Sequence, residues 1–244
     1  MESQQLLLSL ETATRAGSIA ILKDSNVLAS SGGDPEVSHS NTLLADTDIL
    51  LSNVNLTIRD IDIFAVATGP GSFTGLRIGI STVKALTETL HRPCVGVPTL
   101  EAIAHTAGSS DATVALLPAG RGELFVQLFS TSSEGVVTAL DQPAHLSPTQ
   151  IIKKYRTLSN ICWVGEGADL YAGLIRESAI QKGYQFTEAA GTEESTDGWR
   201  TVKPTSYLAQ HVASLALSRL QVMDARPNDL RAIYVRPSDA ELKL

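Results

Sequence analysis

One segment of the chain joins an apolar strand, a glycine-rich turn and a helix, an arrangement that can hold a phosphate group. It runs from Ala67 to Gly79 and reads A-T-G-P-G-S-F-T-G-L-R-I-G. Free N–H groups and the helix dipole make such a junction a good anion site. However, no lysine follows, as a G-x-x-x-x-G-K-[ST] loop requires, and Gly75 comes one residue too late for G-x-G-x-x-G. The motif therefore matches neither of the common nucleotide loops.

The glycines of this segment also recur at helical spacing. Gly71, Gly75 and Gly79 share one face of the helix that the segment opens. A glycine inside a helix costs about 1 kcal/mol relative to alanine, so three of them indicate that another group approaches this backbone closely. A phosphate, a packed or partner helix, and a tight turn are all open interpretations, and the spacing favours helix packing or partner docking.

Residues that bind metals or attack substrates are present, but they form no recognisable motif. No two of the five histidines are separated by the i, i+4 spacing that places two ligands on one helix face. Ser72 lies outside a G-x-S-x-G elbow, and the chain has no H-E-x-x-H. Cys94 and Cys162 form no C-x-x-C and are interpreted as buried, reduced thiols. We therefore predict no metal site and no catalytic residue. The histidines are His39, His91, His105, His145 and His211.

The composition narrows the class of protein further. The chain has 244 residues, of which 43% are hydrophobic and 18% charged, enough for one large or two small domains. Its formal net charge of -7 repels a polyanion. We therefore do not expect the chain to bind nucleic acid on its own. The sequence shows neither a signal-peptide pattern nor a stop-transfer helix, and the expected location is the cytoplasm.

The first half of the sequence predicts the order β-β-β-α-β-α-β. Short alternating patterns with turns such as Asp24-Ser25-Asn26 indicate strands, and apolar residues at helical spacing indicate helices. The predicted strands are Gln5–Leu10, Gly17–Lys23, Val27–Ser31, Ile63–Ala67 and Cys94–Val97, and the predicted helices are Ser38–Asn53 and Phe73–His91.

The second half repeats much of this order after a loop near residue 108. Ser147 and Gln150 form a predicted capping box with Pro148 at the first helical position. The predicted strands are Thr113–Leu117, Leu124–Ser130, Val136–Leu140 and Ile161–Val164. The repetition predicts a duplicated α/β domain with a boundary near residues 104–112. We assign 1–106 to the first domain, which the helix 206–221 completes, 107–205 to the second domain and 222–244 to a tail.

Motifs spread over nearly the whole chain resemble the bacterial TsaB (YeaZ) family. The segment G-P-G-S-F-T-G-L-R-I-G, which ends at Gly79, is the most specific of them. The resemblance is strong in the first hundred residues or so and looser between Gln181 and Pro204. The other motifs are L-S-L-E-T-A-T from Leu8, G-S-I-A from Gly17, S-H-S from Ser38, V-P-T-L from Val97, R-G-E-L-F from Arg121 and I-Y-V-R from Ile233.

This resemblance implies a fold and a function. TsaB proteins have two ribonuclease-H-like domains and belong to the actin-like, sugar-kinase and Hsp70-like ATPase superfamily. They support the synthesis of threonylcarbamoyladenosine in tRNA. The catalytic subunit is the paralogue TsaD, and an ATPase called TsaE joins the complex. The resemblance thus implies a non-catalytic subunit that contacts tRNA only through the complex and that can form a homodimer when alone.

Several positions depart from what the superfamily would use for chemistry. TsaD carries a metal-binding H-x-x-x-H after the strand equivalent to Cys94–Val97, and this chain has Thr99 and Ile103 there. An ATPase of this superfamily ends its first strand with an aspartate that holds hydrated magnesium, and Glu11 stands in that place. The entry to the second domain, P-A-G-R-G-E from Pro118, lacks the aspartate and one arginine usual in TsaB. The resemblance leaves four vestigial nucleotide contacts, namely Glu11, Thr12, Gly165 and Gly167.

We predict that the docking surface for the catalytic partner is formed by the first helix and the glycine helix. We expect no cofactor, except ATP or ADP at an interface of the complex. Two rival functions are an ATPase or kinase of the same fold and a glycopeptidase-like hydrolase. The predicted interface residues are His39, Leu43, Leu50, Gly71, Gly75, Arg77, Gly79 and Val83.

Overall fold

A computed structural model describes residues 5–32, 39–189, 198–220 and 229–235. The chain divides into two compact units. Unit 1 comprises Met1–Ala102 and Ser206–Tyr234, and unit 2 comprises Ile103–Thr205 and Val235–Leu244. The boundary between the units falls between Ala102 and Ile103, within a helix. The sequence predicts a domain boundary slightly later, near residues 104–112.

Unit 1 contains a five-stranded sheet in the order β3-β2-β1-β4-β5. β2 pairs antiparallel with β1 and β3, whereas β4 and β5 run parallel to β1. The strands are β1 Leu6–Glu11, β2 Ser18–Lys23, β3 Asn26–Gly32, β4 Ile63–Ala67 and β5 Cys94–Val97, and the helices are α1 His39–Asn53, α2 Phe73–Leu90 and α3 Thr99–His105, the last of which extends into unit 2.

The core of unit 1 follows from the alternation of side chains along β1. Leu8 and Leu10 pack in one cluster with buried side chains of α1 and α2. A further helix, Leu208–Leu220, packs against β1, β2, β4 and β5. It is numbered α7 because three helices of unit 2 precede it in the chain. The buried side of α7 consists of alanine and branched apolar residues, such as Ala209 and Val212.

Unit 2 contains a sheet in the order β11-β12-β10-β6-β7-β8, with β9 also paired to β7. Two of its buried side chains, Trp163 and Trp199, have ring centroids 5.0 Å apart. The strands are β6 Ser110–Gly120, β7 Glu123–Thr131, β8 Val137–Ala139, β9 Ala144–Leu146, β10 Ile161–Val164, β11 Phe186–Ala189 and β12 Trp199–Val202, and the helices are α4 Pro148–Tyr155, α5 Glu166–Leu170 and α6 Ala172–Gln181.

Five strands of the sheet in unit 2 repeat the topology of the sheet in unit 1. β7 is antiparallel to β6 and β8, while β10 is parallel to β6 and β12. The order β8-β7-β6-β10-β12 therefore corresponds strand for strand to β3-β2-β1-β4-β5. This repetition confirms the predicted fold class of two ribonuclease-H-like domains.

The structure adds elements that the sequence did not predict, namely α3, β9, β11 and β12. After β10, the chain forms two helices, α5 and α6, which meet at Tyr171. β6 begins at Ser110 and includes residues expected in the loop. Within the described residues, no helix combines the length and apolar character needed to cross a membrane.

Candidate functional site

The glycine helix α2 begins immediately after a turn that is fixed by local hydrogen bonds. The Ser72 hydroxyl accepts a hydrogen bond from the Gly75 N–H at 3.2 Å, which caps the helix. The Ser72 N–H donates to the Ala13 carbonyl at 2.8 Å. Ser72 is therefore a capping residue, and its hydroxyl is engaged with backbone rather than with a general base.

The glycines of α2 face the turn after β1. The Thr12 hydroxyl donates to the Gly75 carbonyl at 2.7 Å. A Cβ at Gly75 would overlap the Thr12 carbonyl oxygen, a Cβ at Gly79 would overlap the Thr12 hydroxyl, and a Cβ at Gly71 would lie 2.5 Å from the Ala13 carbonyl oxygen. Gly71, Gly75 and Gly79, predicted as interface residues, therefore pack against the chain's own turn after β1, which leaves no room there for a partner helix.

Three other predicted interface residues are part of the core of unit 1. Val83 is 0% exposed, and Leu43 and Leu50 are also buried. All three pack in the cluster that contains Leu8 and Leu10. A leucine stripe at helical spacing marks the buried side of a helix, so these residues contribute to the core of unit 1 rather than to an exposed surface. The side chain of His39 lies outside the described residues.

The remaining predicted interface residue, Arg77, is exposed on α2. Its guanidinium carbon lies 3.8 Å from the centre of the Phe73 ring. Phe73 in turn contacts Tyr234, with ring centroids 5.4 Å apart. The cation–π contact holds the Arg77 side chain against the start of α2.

Exposed side chains that the sequence analysis did not identify lie on α1 and α2. Leu44 is 62% exposed and Ile49 is 59% exposed, and Ser81 and Ala85 are exposed on α2. We call the set Leu44, Ile49, Arg77, Ser81 and Ala85 the outer helical face. α1 and α2 pack against each other. The sequence alone carried no signal that separated Leu44 and Ile49 from the buried apolar residues of α1.

Glu11, predicted as a vestigial nucleotide contact, is 1% exposed. One carboxylate oxygen, Oε1, accepts hydrogen bonds from the Ala13 N–H at 2.6 Å and the Thr14 N–H at 2.7 Å. The other, Oε2, accepts from the Thr14 hydroxyl at 2.7 Å. The carboxylate thus stabilises the turn that follows β1.

Gly165 and Gly167, predicted as vestigial nucleotide contacts, lie in unit 2 and make packing contacts. Gly165 has φ +98°, and a Cβ there would overlap the Leu116 carbonyl oxygen. A Cβ at Gly167 would lie 2.8 Å from the Leu116 Cβ and 2.9 Å from a Leu124 methyl carbon. These glycines therefore let α5 approach β6 closely.

The positions that would carry H-x-x-x-H hold structural contacts. Thr99 is fully buried, and its hydroxyl accepts a hydrogen bond from the Gly69 N–H at 3.0 Å. Ile103 is buried. Between them, Glu101 pairs with Arg219 at 2.6 Å, and burial raises the pKa of Glu101 although Arg219 opposes that rise. The residues at these positions do not fit the metal of the paralogue.

Other groups with potential reactivity are also enclosed. Cys94 and Cys162 are free and buried, and burial raises the pKa of both thiols. Among the described residues, no three or more histidine, cysteine, aspartate or glutamate side chains are grouped so that they could hold a metal ion.

Known proteins match the chain over most of its length. A family model described as TsaD, tRNA N6-adenosine threonylcarbamoyltransferase, matches residues 23–238. The tRNA threonylcarbamoyladenosine biosynthesis protein TsaB of Escherichia coli (strain K12) is 30% identical over 179 residues, 71% of this chain and 77% of that protein. TsaB of Bacillus subtilis (strain 168) is 27% identical over 187 residues, 75% of this chain and 80% of that protein.

Solved structures show the same fold. YeaZ from Pseudomonas aeruginosa superposes with a TM-score of 0.71 at 22% identity, covering 94% of this chain and 99% of that one. The topology of both units, the motifs and these matches lead to one conclusion. The chain belongs to the TsaB (YeaZ) family, which is related to TsaD.

Proposed function

We propose that this chain is a non-catalytic subunit in the biosynthesis of threonylcarbamoyladenosine in tRNA and that it docks to a TsaD-like transferase. The observation that carries the proposal is the start of α3, where Thr99, Glu101 and Ile103 make structural contacts in place of metal-binding histidines. Membership of the TsaB family supports this pathway, because the relatives are named as tRNA threonylcarbamoyladenosine biosynthesis proteins.

The outer helical face is the proposed docking surface. Large exposed apolar side chains such as Leu44 and Ile49 gain about 25 cal/mol for each Å² that a partner removes from water. Arg77, in contact with the Phe73 ring, adds a positive charge on α2. A TsaD-like subunit is the proposed partner because the chain itself matches the TsaD family model.

The other partners follow from the same proposal. A TsaE-like ATPase joins the complex, and tRNA contacts this chain through the complex because the net charge of -7 repels a polyanion. Without its partner, the chain can pair with a second copy of itself. The proposed site of action is the cytoplasm.

The test replaces two residues of the outer helical face, Leu44→Asp together with Ile49→Asp. Because both side chains are exposed, the variant should keep the melting temperature of the wild type. Its Kd for the TsaD-like partner, measured by titration calorimetry, should rise at least about tenfold, which corresponds to about 1.4 kcal/mol. Reconstituted tRNA modification should fall in parallel.

A matched control carries the same chemical change in unit 2, at Leu170→Asp and Ile180→Asp, which are exposed on α5 and α6. This variant should bind the partner like the wild type. An unchanged Kd in the variant of α1 would place the docking surface elsewhere. Equal weakening in both variants would point to a general charge effect.

A further inference from the structure

Three exposed side chains of unit 1 stack on one another at the start of α2. The guanidinium carbon of Arg77 lies 3.8 Å from the centre of the Phe73 ring. The Phe73 ring also lies beside the ring of Tyr234, with centroids 5.4 Å apart and ring planes inclined at 42°. Phe73 is 38% exposed and Tyr234 is 50% exposed, although aromatic side chains contribute most to stability in cores and interfaces. We call these three side chains the Arg77 stack.

Tyr234 belongs to a segment whose backbone is attached to unit 1. The N–H of the preceding residue, Ile233, donates a hydrogen bond to the Thr68 carbonyl at 2.7 Å. Leu230 is 3% exposed and packs in the core cluster of unit 1. The Tyr234 ring is therefore held beside Phe73 and restricts the positions that the Phe73 ring can take. Phe73 restricts the guanidinium of Arg77 in the same way, which lowers the entropy that Arg77 loses when it binds another group.

The Arg77 guanidinium has donors that the stack does not use. Among the described residues, none forms a hydrogen bond or an ion pair with Arg77. A cation–π contact involves the face of the ring and leaves the N–H groups of the guanidinium available to an anion. These N–H groups form a planar fork that matches a carboxylate at two points.

The position of Arg77 on α2 favours a protein as the source of that anion. Phe73, Arg77, Ser81 and Ala85 follow one another at i, i+4 spacing and are all exposed, so they share one side of the helix. The small side chains of Ser81 and Ala85 let a partner approach this side closely. A partner that covers Arg77 must supply an anion, because a buried, unpaired charge is costly. The net charge of -7 disfavours a nucleic-acid phosphate in that role.

We propose that Tyr234, acting through Phe73, positions the guanidinium of Arg77 for a two-point ion pair with a carboxylate of the TsaD-like partner. Tyr234 is a positioning residue, and Arg77 is the residue that contacts the partner. This inference rests on the proposed function and adds the chemistry that selects the partner. A protein with a basic or apolar side chain opposite Arg77 binds more weakly, because the charge of Arg77 is then left unpaired.

The experiment is a double-mutant cycle on Tyr234→Ala and Arg77→Gln, with Kd for the TsaD-like partner measured by titration calorimetry. At about 0.05 M salt, Arg77→Gln should raise Kd about tenfold, and the increase should be smaller at about 0.5 M salt. Tyr234→Ala should raise Kd about threefold to fivefold, and Tyr234→Phe should restore the wild-type value. In the Arg77→Gln background, Tyr234→Ala should raise Kd no further, because no guanidinium remains to be positioned.

The matched control is Tyr207→Ala, which removes another exposed tyrosine of unit 1 and should leave Kd unchanged. If Tyr234→Ala does not fold, Phe73→Leu replaces it in the cycle. Leucine removes the ring from an exposed helical position and is a good helix former, so this variant should fold. It should show the same increase in Kd and the same lack of a further effect on Arg77→Gln.

A second measurement tests the positioning without the partner. In the wild type, the ring current of Phe73 should shift the Cδ proton resonances of Arg77 upfield. In Tyr234→Ala these resonances should move towards the values of an unstacked arginine, whereas Tyr234→Phe should retain the upfield shift. A folded Tyr234→Ala variant with unchanged Arg77 resonances would overturn the proposed role of Tyr234.

The binding data distinguish this inference from the proposed function. Additive effects of Tyr234→Ala and Arg77→Gln would show that Tyr234 contacts the partner itself, and a wild-type Kd in Arg77→Gln would exclude the ion pair. Either result overturns this inference and leaves docking intact. If Arg77→Gln weakens only the binding of tRNA to the complex, Arg77 contacts phosphate and the inference is also wrong. Failure of the wild type to bind the partner would contradict the proposed function, and the ion pair with it.

Discussion

At the scale of single residues, the atom nearest to the position that a Cβ would take shows why a glycine is needed at that position. For Gly75 that atom is the carbonyl oxygen of Thr12, which belongs to the backbone and cannot rotate away. The Thr12 hydroxyl bonds to the carbonyl of the same glycine. Gly75 is therefore required where β1 and α2 meet, and a substitution there should affect the monomer before it affects any complex.

We predict that Gly75→Ala destabilises the isolated chain. Alanine gains about 1 kcal/mol of helix propensity, but overpacking against rigid backbone typically costs 1–3 kcal/mol, and the overlap at this position places the cost at the upper end of that range. The melting temperature, followed by circular dichroism at 222 nm, should fall by several degrees, at about 2–4 °C for each kcal/mol.

The matched control is Gly173→Ala in α6, because no atom of the described residues, apart from the local helix backbone, lies within 4 Å of the position that its Cβ would take. Gly173→Ala should melt at or above the temperature of the wild type. If Gly75→Ala melts like the wild type and instead loses affinity for a TsaD-like partner, the glycines serve docking after all.

The sequence could show that something approaches these glycines but not which group it is. Helical spacing of Gly71, Gly75 and Gly79 is a local property, whereas the contact with Thr12 joins residues 63 positions apart. The same reason explains the error at Val83, because an apolar stripe looks the same whether it faces a core or a partner. Leu44 and Ile49 could be assigned to the exposed side of α1 only once the buried side of that helix was known.

At the scale of elements, the predictions were accurate where interactions between residues close in sequence determine the helix or strand. The capping box at Ser147 and Gln150 is confirmed, with the Ser147 N–H donating to the Gln150 side chain at 2.9 Å. The strands Ile63–Ala67, Cys94–Val97 and Ile161–Val164 have their predicted bounds. The missed strands β11 and β12 each contain four residues, and β12 is defined by its parallel pairing with β10 rather than by its own pattern.

The missed helix α3 provides a prediction about pH. His105 lies in its last turn, where the helix dipole favours a charged imidazole, but burial has the larger effect and lowers the pKa of His105 below its ordinary value of 6.5. The unfolded chain therefore binds a proton more readily than the folded chain. The contribution of the neutral His105 side chain to folding stability is complete above pH 6.5 and is lost as the pH falls from 6.5 towards the lower pKa.

The measurement compares the wild type with His105→Gln, which cannot titrate in this range. Urea unfolding of unit 2, followed by tryptophan fluorescence, should show a midpoint that falls between pH 7 and pH 5.5 in the wild type. The midpoint of His105→Gln should fall less over the same interval. Parallel decreases in both proteins would assign the pH dependence to other groups.

At the scale of the whole molecule, the chain places one topology in two units, but unit 1 is discontinuous in sequence. Its sheet comes from the first hundred residues or so, and α7, which packs on β1, β2, β4 and β5, comes after the segment Ile103–Thr205 of unit 2. The stability of unit 1 therefore depends on a helix that is distant in sequence. Each unit also contains one buried cysteine, Cys94 in unit 1 and Cys162 in unit 2.

This arrangement predicts that a charge in α7 opens unit 1 alone. Val212 is fully buried in α7, and Val212→Asp places an unpaired carboxylate there, which is strongly destabilising. In the wild type both thiols should react slowly, because burial limits access and raises the pKa of each. In Val212→Asp, alkylation of Cys94 should accelerate at least tenfold while Cys162 keeps its wild-type rate, as measured by mass spectrometry of peptides after timed labelling.

The matched variant is Ala179→Asp, at a fully buried position of α6 in unit 2. It should accelerate the alkylation of Cys162 and leave that of Cys94 at the wild-type rate. If both cysteines accelerate together in each variant, the two units open as one cooperative structure, and the discontinuity of unit 1 has no consequence for its stability.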